Sequence, residues 1–394
     1  MRIPNALSPE AFLTSFWQKG PLFMPGALPG IHPSLSSSEL AWLATQEDVE
    51  SRLVFTQSDG EATHYQVRHG PFQNDVLSSL PRQNWTLLVQ DVEKHLPDFR
   101  ALFAAVDFIP DWRIDDLMVS FAAPGGSVGP HKDNYDVFLC QGEGQREWHL
   151  GDKDIVIDDA TSSELLLLKP FVDQEPQTAG NGDVLYLPPG IPHWGIARDF
   201  CMTYSIGMRA PNLAELSAAA VRLFGELDEV PTKSSATGAD VFYQDPDLTI
   251  DEAAPGLISG AAIRRAKHTL RKIASLDEQQ IAMILGSVAT DPKAWLAPEC
   301  VTDDEAKDMI NALDKYAKLS VHGMARIAFC EIGASGLIFA NGRARGLSAD
   351  RLDLIRDVCK TRTATRVVFC ADDDTELLHW LLKSGVFDLA EQLE

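Results

Sequence analysis

Two separated strings hold side chains that together can bind a metal ion. The first is Gly129-Pro130-His131-Lys132-Asp133. In an extended strand, residues two apart share a face, so His131 and Asp133 are expected to present an imidazole and a carboxylate side by side. With ten histidines in the chain, about one such pairing arises by chance, and the string alone decides little. The second string, GDVLYLPPGIPH from Gly182 to His193, reads as turn, strand, tight turn and next strand. It places His193 just past the Pro189-Gly190 turn. Two neutral imidazoles and one carboxylate on one face leave coordination positions open, as non-haem Fe(II) needs when it must also take a cosubstrate and O2. Zinc accepts the same ligands and would suit hydrolysis. Each string alone also has an ordinary reading: an ion pair or turn cap for His131 and Asp133, a satisfied histidine beside Trp194 for His193. Together, in one strand-rich block, they favour a metal site and leave the metal's identity open.

Such side chains need a scaffold that brings two distant strands together. From about Asp111 to Ala210 the chain is a series of strand-like runs: DLMVSFAAP, DVFLCQ, REWHL, LLLLKPF, DVLYLPP, HWGIAR and CMTYSIGMR. Gly/Pro turns separate most of them, and the spacing predicts a barrel or jelly roll. Upstream, Ser8-Pro9-Glu10 opens a capped helix, and Ser36 to Ser38 lead into a second, ELAWLATQ. Ser58-Asp59-Gly60 marks a hairpin between two β-like runs. From Asn84, NWTLLVQDVEKHLPDFRALFAAV carries apolar residues at helical spacing, interrupted near Pro97. After Pro211-Asn212 the pattern turns helical in LAELSAAAVRLFGEL, AAIRRAKHTLRKIA and EQQIAMILGSVA, with a polar surface loop expected over 229–247. The C-terminal stretch sets strands around an Asn341-Gly342 turn beside the helices SADRLDLIRDVC and ELLHWLLKSG, compatible with a winged-helix shape. The expected organisation is α+β in three parts: 1–212 with a strand-rich core at about 111–210, a helical 213–300, and 301–394.

Composition bounds the function further. A chain of 394 residues has room for two or three domains, and 45% hydrophobic with 23% charged residues is a globular mix. No stretch approaches the ~20 apolar residues of a membrane span. The first residues, MRIPNALSPEAFLTSFWQKG, lack the basic segment and apolar core of a secretory signal, so a cytoplasmic location is expected. Six cysteines without CxxC spacing argue against a disulfide framework or a zinc ribbon. Thirty-four basic against 57 acidic residues give a net charge of −23, which repels phosphates and speaks against direct nucleic-acid binding.

The second string resembles the second motif of the cupin superfamily, with Ala197 where that motif usually carries a trailing Asn. With HKD in the first string, the chain resembles the JmjC-type 2-oxoglutarate oxygenases. The longer run DWRIDDLMVSFAAPGGSVGPHKDNYDVFLCQGEGQREWHLG, with YSIGMRAPN, FWQKGP, SRLV, HGPF, NWTLLVQ and IFANG, is similar to a narrower group, the bacterial ribosomal oxygenases. These hydroxylate an arginine at C3 in large-subunit ribosomal protein sixteen. The resemblance implies a double-stranded β-helix (cupin, jelly-roll) core, a helical dimerisation region and a winged-helix-like C-terminal domain, in a homodimer. It also implies Fe(II) held by His131, Asp133 and His193, with 2-oxoglutarate and O2 as cosubstrates. Arg146 would bind the distal carboxylate of 2-oxoglutarate, for which a guanidinium is a bidentate, permanently charged clamp. Its ordinary reading is a surface arginine paired with Glu147 or Glu143.

Other polar positions flank these motifs. Asp115 or Asp116 could receive a cationic arginine substrate, against a salt bridge to Arg113. Tyr135, Ser205 and Asn212 could touch cosubstrate or substrate, and His149 could be a stray ligand, though more readily off the metal face. Other readings keep the oxygenase chemistry on a different protein or small molecule, or make the chain a non-enzymatic metal-binding cupin. The open half of the coordination sphere argues against the last.

Overall fold

The computed structural model describes residues 7–28, 30–31, 34–58, 63–151, 167–168, 171, 175–223, 243–269, 277–313, 317–369 and 372–388. The chain divides into two compact units. The first comprises Met1–Val106, Ile114–Met208 and Pro246–Leu248; the second comprises Asp107–Arg113, Arg209–Asp245 and Thr249–Glu394.

Among its described residues the first unit has eleven strands: β1 Leu22–Met24, β2 Ser51–Ser58, β3 Thr63–His69, β4 Trp85–Val89, β5 Ile114–Ala122, β6 Val137–Glu143, β7 Arg146–Leu150, β8 Gln177–Ala179, β9 Val184–Leu187, β10 His193–Ala197 and β11 Cys201–Met208. Eight form an antiparallel sheet in the order β1-β9-β6-β11-β5-β4-β2-β3, and three form a second sheet, β10-β7-β8. Val137, Leu139, Trp148, Leu185, Leu187 and Ile191 from both sheets share one apolar cluster. This is the two-sheet jelly-roll arrangement expected of the strand-rich block. Helix α1 (Pro9–Ser15) begins at a Ser8 cap, and α2 (Ser37–Leu43) at a Ser36–Glu39 capping box. Behind the site, α1 sets Phe12 edge-on to Tyr186, whose hydroxyl donates to Asp136 at 2.6 Å. Gln18 donates to the other Asp136 oxygen at 2.9 Å, so the start of β6 is fixed from the rear.

Two expectations fail in this unit. The helical spacing read over 84–106 resolves into β4, a short helix α4 (Val92–His95) and a 3-10 segment at Pro97–Val106, the helix α3 (Asn74–Ser78) lying upstream. Every residue of β4 is buried, because it runs between β2 and β5. An interior strand is apolar on both faces, and such a run imitates a helix by periodicity alone. Asn84 and Asp91, both at positive φ, punctuate its ends. Nor is His131–Asp133 a strand: it is loop, touching the sheet through a single His131–His193 bridge. Pro130 lacks an N–H, and Gly129 sits at φ +85°, so no ladder can run through the motif. The hairpin partners β2 and β3 pair as expected, while their turn, at 59–62, lies outside the described residues. So does most of LLLLKPF, of which Leu167, Leu168 and Phe171 are described.

In the second unit, α5 (Leu213–Leu223), α6 (Gly260–Thr269) and α7 (Glu278–Thr290) precede α8 (Asp303–Ala312), α9 (Ala349–Thr361) and α10 (Asp372–Lys383). One sheet joins β12 (Leu257–Ile258), β14 (Ile327–Ile332), β15 (Ser335–Ala340) and β16 (Arg343–Leu347). A second joins β13 (Lys318–Val321), β17 (Thr363–Thr365) and β18 (Phe387–Asp388). Asn341 and Gly342, both at positive φ, make the expected tight turn. Ile284, Leu285 and Val288 of α7 share a core with Cys330, Leu337 and Phe339, so apolar packing runs across the break expected near residue 300. The loop expected over 229–247 lies outside the described residues as far as 242. Beyond it Tyr243 and Asp245 are buried, not surface-exposed. The cause is Arg113, also buried, which ion-pairs with Asp245 and lies 5.2 Å from the Tyr243 ring centre.

Candidate metal centre

The backbone alone brings the two strings together. His131 N–H donates to the His193 carbonyl at 2.9 Å, and His193 N–H returns a bond to the His131 carbonyl at 2.8 Å. Gly190, at φ +79°, donates its N–H to the Asp133 carbonyl at 2.8 Å, so the Pro-Gly turn of the second string closes on Asp133. Glycine adopts that φ without strain. Ser127 Oγ accepts from Gly129 N–H and Trp194 Nε1–H, at 3.0 and 2.9 Å, and ties both strings from outside.

Each imidazole is oriented by its other nitrogen. His131 Nδ1 lies 2.9 Å from the Gly129 carbonyl, and His193 Nδ1 lies 3.0 Å from the Ile191 carbonyl. With Nδ1–H donating there, the Nε2 lone pairs face Asp133, at 3.9 Å for His131 and 3.6 Å for His193. Among the described residues this is the one His/Cys/Asp/Glu group able to hold an ion, its ligand atoms all within 4.8 Å of one another. Neighbouring ligands of a six-coordinate ion bound at about 2.1 Å stand about 3 Å apart, so this donor set fits a divalent metal after a small contraction. Burial, reinforced by the His131 ring, holds the His193 imidazole down at about 4, and its lone pair is free at neutral pH.

The triad faces a cavity of 310 Å³ between the sheets. Arg146, at the start of β7, lines it with 4% exposure. Its Nε has no hydrogen-bond partner among the described residues, and its guanidinium sits 5.8 Å from the Trp148 ring centre. Neither Glu143 nor Glu147 pairs with it; Glu147 takes Arg198 and His149 instead. A buried cation without a counter-charge is costly, and among the described residues none is paired with Arg146.

Alternation along β5 sends Asp116, Met118 and Ser120 into the cavity, whereas Asp115, at the register shift opposite Gly207 and Met208, is not among its lining residues. Arg113 ion-pairs with Asp245. Tyr135 and Ser205 also line the cavity, and the Asp133 carboxylate beside Tyr135 pushes its phenol well above the ordinary value. Asn212 lies elsewhere, exchanging capping bonds with Glu215 at the start of α5. His149 is held by Glu147 at 3.0 Å and packs on Trp194, off the triad.

The profile of the JmjC domain matches residues 101–216, which hold all three triad residues and Arg146. A relative named ribosomal protein uL16 3-hydroxylase, from Escherichia coli (strain K12), is 42% identical over 240 residues, 60% of this chain and 60% of its own length. The solved structure of YcfD, a ribosomal oxygenase from Escherichia coli, in complex with cobalt and 2-oxoglutarate is 29% identical. It superposes with a TM-score of 0.68, covering 97% of this chain and 98% of that one. Residues 101–216 of this chain match a JmjC domain, and the chain is similar to bacterial ribosomal oxygenases.

A Haemophilus influenzae relative is 36% identical over 252 residues, 64% of this chain. The chain spans 60% and 57% of the lengths of these two curated relatives. The cavity also holds several residues that motif reading missed. Met118, Ser120 and Thr203 could have been found by alternation from Asp116 and Ser205, which share their strands. Arg52 and Gln90, from β2 and just past β4, carry no local chemical signal. They reach the cavity because β4 and β2 extend the sheet past β5.

Proposed function

We propose that this protein is an Fe(II)- and 2-oxoglutarate-dependent protein hydroxylase acting on an arginine, at C3, of large-subunit ribosomal protein sixteen (uL16). One observation carries the reading: the open His131–Asp133–His193 face and the uncompensated Arg146 guanidinium share one cavity. His131 and His193 through Nε2, and Asp133 through its carboxylate, would hold the iron. The chemistry that iron supplies when bound is O2 activation, coupled to conversion of 2-oxoglutarate to succinate and CO2, for oxidising an unactivated C–H.

The chain's own residues bind, orient and exclude water. Arg146 donates to the distal carboxylate of 2-oxoglutarate and so fixes the keto-acid end toward the triad. Asp116, 8% exposed on the cavity face of β5, accepts from the substrate guanidinium. Tyr135 and Ser205 flank that aspartate's side of the cavity and hold the arginine stem in place. Asp116 is preferred to Asp115 because it is the one of the two that lines the cavity. Trp148 and Leu139 make the wall apolar, keeping water from the reacting carbon.

The test is turnover by the purified chain with Fe(II), 2-oxoglutarate and a uL16 peptide containing the arginine. A gain of one oxygen mass on that arginine, with succinate release dependent on both additions, is expected. Succinate release with an unmodified peptide would move the reading to another substrate, and no dependence on either addition would leave a non-enzymatic cupin.

For the finer organisation, we propose that 1–212 is the catalytic region, that 213–300 carries a homodimer contact and that 301–394 is a winged-helix-like module that does not bind nucleic acid directly. The helix-and-hairpin content of β14 to β16 with α9 and α10, and the net charge of −23, support this. Sedimentation velocity tests the dimer, a monomer at micromolar concentration overturning it. Among the described residues no helix is long and apolar enough to cross a membrane. A cytoplasmic location follows from a ribosomal substrate.

A further inference from the structure

The cavity extends to β2 and the end of β4, where two buried polar atoms have no hydrogen-bond partner among the described residues. Arg52 on β2 and Gln90 just past β4 both line it. Arg52 Nε and Gln90 Oε1 are buried, with no hydrogen-bond partner among the described residues. The register sets their distance from the chemistry: Arg52 stands opposite Leu88, Leu88 opposite Ser120, and Ser120 opposite Thr203. At about 4.8 Å per strand, Arg52 lies about 10 Å beyond β5. A substrate arginine seated on Asp116 would hold its own main chain one side-chain length away from that carboxylate, within reach of the Arg52 and Gln90 side chains that line the same cavity.

The two groups are chemically complementary. A guanidinium only donates, and an amide oxygen only accepts. One peptide unit presents the matching pair, a carbonyl and an N–H. A free carboxylate would satisfy Arg52 but set a second acceptor against Gln90 Oε1.

We propose that Arg52 and Gln90 clamp the main chain of the polypeptide substrate beside the residue being oxidised, Arg52 donating to a carbonyl and Gln90 accepting an N–H. The proposal rests on the protein-hydroxylase reading above and deepens it. It gives strands outside the matched 101–216 segment a peptide-backbone subsite, which favours a polypeptide over free arginine. Both are specificity-determining residues; neither touches the reacting atoms.

The test measures binding of a fluorescein-labelled uL16 peptide by anisotropy to the full chain, loaded with Fe(II) and 2-oxoglutarate under nitrogen. Wild type is compared with Arg52→Ala, Arg52→Gln and Gln90→Ala, each checked for an unshifted thermal melt. A second peptide carries an ester oxygen in place of the flanking amide N–H. Loss of one hydrogen bond is expected to weaken peptide binding about tenfold in each variant. In turnover KM rises correspondingly, while kcat falls no more than about threefold. The ester peptide binds wild type more weakly than the amide peptide, and Gln90→Ala binds the two equally. If Arg52→Ala misfolds, Arg52→Gln and the Gln90 cycle carry the test. Variants that bind the amide peptide within twofold of wild type overturn the clamp alone. A wild-type chain that binds no uL16 peptide overturns the substrate reading and the clamp with it.

Discussion

The triad is held by main-chain bonds that its side chains do not make, so the ligands can be removed one at a time without dismantling the fold. His131→Ala and Asp133→Ala are each expected to abolish metal binding, read by calorimetric titration with Mn(II), and turnover with it. The melting temperature of the metal-free protein should stay within a few degrees of wild type. Retention of full activity by either variant would remove that residue from the ligand set. Arg146→Lys keeps the charge but not the fork that grips a carboxylate at two points. The Michaelis constant for 2-oxoglutarate should rise about 10- to 100-fold, the worth of one charge-assisted hydrogen bond. An unchanged constant would place the cosubstrate carboxylate elsewhere.

Strand pairing decides which faces meet, and it tolerates little added volume where β10 crosses β7. Gly195 stands opposite Trp148, and a Cβ there would lie 2.6 Å from the indole. Gly195→Ala should therefore push Trp148 off its seat and displace the strand that begins at His193. A loss of about 1–3 kcal/mol by urea unfolding, with reduced turnover, is expected. Behind β5, Glu93 of α4 is buried and accepts the Leu117 N–H at 2.9 Å, fixing the strand that carries Asp116. Burial raises its carboxyl above the ordinary 4.5 despite the adjacent Lys94. The folded state thus holds this proton more tightly than the unfolded state. Its stabilising contribution is complete below pH 4.5 and is lost as pH rises through the folded value. Melting curves of Glu93→Gln and wild type should diverge in the variant's favour from about pH 4.5 to neutrality. A constant difference across that range would contradict a raised carboxyl.

At the scale of the whole chain, each unit has its own core, and the second is pinned by charge as well as by apolar packing. Arg113 is buried against Asp245, Tyr243 and the Arg209 carbonyl. Asp245→Ala leaves that guanidinium without its carboxylate and should cost about 3–5 kcal/mol, measured by denaturant titration. A loss below about 1 kcal/mol would mean that other groups neutralise Arg113. Nothing local announced this pair, because polar residues in a turn-rich stretch read as surface until a buried partner far along the chain claims them. The clustering of His131, Asp133 and His193 was legible because metal chemistry restricts residue type, and the Pro-Gly turn before His193 restricts backbone. The jelly roll was legible because its strands are short and punctuated by glycine and proline. The β4 strand misled, since burial on both faces erases the alternation that distinguishes strand from helix. What the sequence by itself determined was therefore the donor set, the strand-rich block around it and the charge of the chain, all properties of local composition and spacing. Only the tertiary structure decided that Asp116 and not Asp115 lines the cavity, that Arg146 is buried without a counter-charge among the described residues, and that Arg52 and Gln90 line the same space. Each of these depends on long-range register, and a strand's partners are set by the packing of the whole sheet.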